Sequence, residues 1–232
     1  LEQKKLINSH IIPDGFFDRI KANEPNIMLD ETNHPKRAPQ GVYDQHILCG
    51  PCDNRIGVWD GYAQKVLTND MSGFTVVHEN GIVGGWERPT YDYSLLKMFF
   101  ISLVWRASIS SHPFYRRIDI GTKFEDRAHA MISADDPGDE NDFGVTLARL
   151  TEPIGHAFLN PHAERLDGVN HVRFYLAGFV AYIKIDQRPY NSALRSFVLT
   201  AGQPLKIVKR SIHKGGEAEV FNKVINAPRN KR

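Results

Sequence analysis

The sequence has only two cysteines in 232 residues. That excludes the disulfide framework of a small secreted domain and points to a reducing, cytoplasmic setting. No apolar run approaches the length of a membrane span, roughly 18 residues. The best candidate, Met98–Trp105, stops at Arg106, so a membrane is not expected as a partner. No leader-like segment is recognised. Charge of one sign is scarce as well. A net charge of +2 permits a polyanionic partner without demanding one.

What is present is an ordinary globular composition, 41% hydrophobic and 24% charged, in a chain long enough to bury a core unaided. No internal repeat is found. The pattern predicts an α+β protein in three parts. Residues 1–70 carry the motifs, 71–135 form a helical middle packed on them, and 136–232 form an antiparallel β region with a basic tail.

Within the first part, Asp14–Lys21 is expected to be helical. Asn23–Gln40, with its prolines and charges, reads as a long loop. A short strand follows at Gln45–Leu48, then a helix over Asn54–Leu67 with apolar residues at helical spacing. Farther on, strand-like pieces around Phe74–Val77 precede two helices, Tyr93–Ser110 and Phe124–Ile132. The segment Asp135–Asp142 reads as an exposed acidic loop, without the spacing of an EF-hand. Phe143–Leu150, His171–Ile185, Ser196–Leu199 and Leu205–Val208 have strand composition. Ala177-Gly178 offers a break in the long run His171–Ile185, which could equally be one strand. Ala218–Ile225 is expected to be a helix.

Both cysteines lie in Leu48-Cys49-Gly50-Pro51-Cys52-Asp53. Two thiols at this spacing can grip one zinc ion or form a redox pair. The redox reading, a thiol-disulfide oxidoreductase using Cys49 and Cys52, requires an exposed, low-pKa Cys49 behind a long apolar strand. The stretch Gly41–His46 is polar instead. The zinc reading requires two more ligands, from His10, His34, His46, a carboxylate or residues upstream of Leu1.

Ser9-His10-Ile11-Ile12-Pro13, followed by Asp44-x-x-Ile47-Leu48-Cys49-x-x-Cys52-Asp53, resembles the HNH-endonuclease type of treble-clef zinc finger. More closely, it is similar to a group of uncharacterised bacterial and phage proteins with that finger. The segment Leu103–Ser110 shares this likeness, which spans roughly residues 1–125. The resemblance implies a treble-clef fold, structural zinc on Cys49 and Cys52 with a first Cys-x-x-Cys upstream, and a metal-dependent nuclease. Carried over by position, His10 becomes the general base that takes a proton from water. Asp44 stands where the family has an asparagine that orients this histidine. Asp53 stands where a metal-binding histidine follows the second cysteine, with His46 as a spare ligand. A carboxylate there suits Mg²⁺ or Mn²⁺. Ser9 replaces an acidic or histidine ligand. These departures leave a second reading: a zinc-supported module that binds DNA, RNA or a protein partner, another copy of itself included, without chemistry. Arg55, Arg106, Arg116 and Arg117 are the candidate backbone-binding cations. For Arg106, on an apolar helix, pairing with a buried carboxylate is the competing expectation.

Overall fold

The computed structural model describes residues 5–18, 27–30, 33–37, 42–69, 71–151 and 157–212. In chain order the strands are β1 (Leu6–His10), β2 (Ile27–Asp30), β3 (Asn33–Arg37), β4 (Tyr43–Cys49), β5 (Thr75–Glu79), β6 (Ile82–Arg88), β7 (Val145–Leu150), β8 (Ala157–Leu159), β9 (His162–Leu166), β10 (Val169–Leu176), β11 (Phe179–Lys184) and β12 (Leu205–Arg210). The helices are α1 (Gly15–Asp18), α2 (Gly50–Gln64), α3 (Tyr93–Ile109), α4 (Thr122–Ala134) and α5 (Ser192–Arg195). The class is α+β.

Helix α3 is the axis of the molecule. Asp92 caps it by accepting a hydrogen bond from the Leu95 amide at 2.9 Å. It is apolar nearly all round, and Leu96, Phe99, Phe100, Leu103 and Val104 are fully buried. It packs against α2 on one side and α4 on the other, and it touches β11. Phe16, from α1, stacks on Phe99 with ring centroids 5.6 Å apart. One hydrophobic cluster runs from Ile11 to Ile207, so the motif-bearing part, the helices and the sheet share a core.

The large sheet has the order β5-β6-β12-β7-β11-β10-β9. Neighbours are antiparallel except β12 and β7, which run parallel. The sheet therefore corrects the expected layout in two ways. It is mixed, and the β5–β6 hairpin, from the expected helical middle, joins it through β12. That join needs Gly85, because a Cβ there would sit 2.3 Å from the Ile207 carbonyl oxygen. The run His171–Ile185 is a hairpin. Leu176 pairs with Phe179, and both turn residues, Ala177 and Gly178, have positive φ, as a two-residue hairpin turn requires.

The expected loop over Asn23–Gln40 carries β2 and β3, which form a second sheet in the order β3-β2-β8. The short run Ile27-Met28-Leu29 has a partner in β8. Pro35 lies in edge strand β3, where a missing amide costs little. Ser196–Leu199 is not a strand. Asn191 caps the short α5 through the Leu194 amide at 2.8 Å, and only an isolated bridge from Val198 to Thr146 remains. Helix α2 begins earlier than the spacing suggested, at Gly50, and a π-helical turn over Lys65–Asn69 follows it. The tail expected as helix, 218–225, lies outside the described residues, as do 19–21 of the first expected helix.

Candidate functional site

The site grows from one supersecondary unit. Strands β1 and β4 pair antiparallel, and β4 runs without a loop into α2. The register sets Leu6 against Cys49 and His10 against Tyr43. The thiol pair and His10 therefore occupy opposite ends of this two-stranded ladder, about 13 Å apart along β1 at some 3.3 Å per residue.

At the joint, Cys49 is the N-cap of α2 and Cys52 lies in its first turn. Their sulfurs are 2.9 Å apart and no disulfide joins them. Cys49 is buried and Cys52 is exposed. That is the reverse of what the redox reading expects of Cys49. Tetrahedral zinc with Zn–S bonds of about 2.3 Å sets its sulfurs about 3.8 Å apart, so this pair has to open before both could share one ion. Among the described residues, no group of three or more side chains capable of holding a metal is found. His46 is exposed on β4, three residues before Cys49. Asp53 sits half-buried in the first turn of α2, at the cysteine end.

Helix α2 then returns along the β1–β4 ladder. Ten residues at 1.5 Å each bring it back about 15 Å, which sets Asp60 level with His10. Arg106 of α3 confirms this placement. Its Nη1 donates to the His10 carbonyl oxygen at 2.8 Å and to Asp60 Oδ2 at 2.9 Å. Its Nη2 donates to Asp60 Oδ1 at 2.7 Å and to Ser102 Oγ at 3.3 Å, while Nε reaches the Ser102 carbonyl at 3.2 Å. The arginine is 1% exposed. It is thus sealed in and offers nothing to a nucleic-acid backbone, as the competing expectation held. Burial pushes the Asp60 carboxyl up from its usual value, against the pull of Arg106. Asp53 and the His10 ring also lie within electrostatic range of Asp60. The His10 ring meets Tyr43 edge-on at 6.0 Å.

Asp44 is not brought to the His10 ring. It pairs with Ser9, one register step away, and successive strand side chains point to opposite faces. Ser9 and Asp44 are buried, whereas Tyr43 is exposed. The Asp44 carboxylate accepts from Ser110 Oγ at 2.7 Å, the Ser111 amide at 3.1 Å and the His46 amide at 2.9 Å. Burial alone would raise its pKa, but these bonds hold it below the usual carboxylate value.

Of the remaining candidates, Arg55 is exposed on α2, lies over Trp59 and donates to the Ser133 carbonyl at 3.2 Å. Arg116 and Arg117 are exposed beyond the 3₁₀ turn Pro113–Tyr115. Asp60 was missed in the sequence. Its helical spacing of seven from Asp53 was the available signal, since such residues share a helix face. Against family models, curated proteins and solved structures, the chain shows no match.

Proposed function

We propose that this chain is an HNH-like, metal-dependent nuclease in which His10 is the general base. The observation carrying the reading is the β1–β4–α2 unit, with an imidazole at the strand end and a thiol pair at the strand–helix joint. A neutral imidazole takes a proton from water as that water attacks phosphorus. Tyr43 flanks the ring and Arg106 grips the backbone behind it, so the base has a defined place from which to act.

Cys49 and Cys52 are the thiolates that would hold a structural zinc ion, with the other two ligands supplied from outside the described residues. A divalent ion, when bound, supplies charge stabilisation for the phosphorane and the leaving oxygen. Asp60, the carboxylate level with His10, has both oxygens occupied by Arg106, and Asp53 stands about 10 Å along α2 at the cysteine end, so a ligand for such an ion beside His10 has to come from elsewhere.

Asp44 favours a second reading, a zinc-supported binding module without chemistry. It stands at the family's orienting position, yet its carboxylate serves Ser110 and Ser111. The two readings separate in a cleavage assay on labelled single- and double-stranded DNA and RNA with Mg²⁺ or Mn²⁺. The nuclease reading expects cleavage that His10→Ala abolishes with the melting temperature preserved. Salt-sensitive binding of the same nucleic acids with no cleavage in either protein would replace it with the second reading.

A further inference from the structure

We propose that Arg106 and Asp60 form a positioning pair for His10, fixing where the base stands relative to α2 and α3. The inference rests on the nuclease reading for its consequence, but on separate geometry for its substance.

His10 is the last residue of β1, and the chain turns inward directly after it, with Ile11 and Ile12 buried. Its carbonyl oxygen, in the last ladder pair of β1 with β4, meets the Arg106 guanidinium. That guanidinium uses all three of its nitrogens. One edge spans both Asp60 oxygens on α2, Nε holds the α3 backbone at Ser102, and Nη1 reaches across to His10. Three elements distant in sequence thus meet at one planar group. Its fork has directions that an ammonium cannot copy. The burial of such a pair is costly when the residues serve packing alone, since apolar side chains of similar volume are often as stable. Here the pair supplies what an apolar replacement would not: a donor for the carbonyl of the proposed base.

Asp60 also stands near the same residue. It lies on the α2 face that turns toward the β1–β4 ladder, within electrostatic range of the imidazole. Substitution of either partner therefore acts on His10 without touching a nucleic acid, because Arg106 is inaccessible. Misplacement of a reacting group by about 1 Å costs on the order of 100-fold in rate.

The test uses Arg106→Lys and Asp60→Asn, with His10→Ala as reference, in the full chain. Two readouts are taken. The first is kcat and KM for Mn²⁺-dependent cleavage of plasmid DNA. The second is the histidine Cε1–Hε1 NMR spectrum, with His78 and His162 as internal controls. The proposal expects Arg106→Lys to stay folded by thermal melt and to lower kcat about 10- to 100-fold. It expects KM to hold within about twofold, and the His10 signal to shift or broaden while the controls stay fixed. An unmoved His10 signal overturns the proposal, whatever the rate. So does a moved signal with wild-type cleavage in both variants while His10→Ala is inactive; that result leaves the nuclease reading standing. If the wild-type chain cleaves nothing, the nuclease reading fails and the spectrum alone decides. A moved signal then keeps the pair as the anchor of a binding histidine. If Arg106→Lys fails to fold, Asp60→Asn carries the same two readouts.

Discussion

Asp44 and Ser110 are joined by a hydrogen bond of 2.7 Å that ties β4 to the end of α3. The same carboxylate caps the Ser111 and His46 amides. A residue that the HNH resemblance would set beside the base is thus committed to holding the β1–β4 ladder against the helical core.

Replacing Asp44 by alanine leaves the Ser110 hydroxyl and two amides without their acceptor. Bonds to a charged acceptor are each worth about 1.5–3 kcal/mol, so the expected loss is about 2–3 kcal/mol after rearrangement and hydration. Because the folded pKa lies below the unfolded one, the carboxylate stabilises above its unfolded value and loses that effect as pH falls through the folded one. Urea unfolding at pH 7 and pH 3 measures both. A smaller gap between wild type and Asp44→Ala at pH 3 is expected.

Cys49 and Cys52 predict about one zinc per chain by elemental analysis of reduced protein that includes any residues native upstream of Leu1. Cys49→Ser is expected to lose the metal and to lower the melting temperature. Zinc retained in both Cys49→Ser and Cys52→Ser would remove the knuckle from the account.

Lys97 sits fully buried on α3, donating to the Asp139 carbonyl at 2.9 Å and lying 5.8 Å from the Tyr93 ring centroid. Burial lowers its pKa to about 8, with Asp142, Asp139 and Glu140 opposing the shift. Between that value and the ordinary 10.5, the unfolded chain binds the proton that the folded one has lost. Stability therefore rises as pH climbs from about 8 toward 10, by about 2–3 kcal/mol from this residue. Lys184, also lowered by burial, acts in the same direction. Above pH 10 the raised Tyr91, which ionises more readily when unfolded, works the other way. Denaturant midpoints from pH 7 to 10 should show the rise, and Lys97→Met should flatten it.

The legible parts of this molecule were those set by local pattern. The apolar run of α3, the cysteine pair at a helix start and the Ala177-Gly178 turn each carry their cause within a few residues. What stayed hidden depends on distant partners. Ile27-Met28-Leu29 is too short to announce a strand without β8 beside it. Asp60 and Arg106 are 46 positions apart, so neither residue alone points to the pair. Arg106 on an apolar helix suits pairing with a buried carboxylate better than a phosphate contact, but only its burial separates the two. Asp44 shared the period-two logic of any strand. Its separation from the His10 ring follows from the register with Ser9, which the sequence cannot set because 32 residues, 11–42, lie between strands β1 and β4.

The most direct test of the central claim is chemical rescue of His10→Ala by imidazole in the metal-dependent cleavage assay. If His10 is the general base, the variant is inactive at neutral pH, and added imidazole restores cleavage in proportion to its unprotonated fraction. Cleavage by His10→Ala at the wild-type rate, with or without imidazole, would contradict the claim.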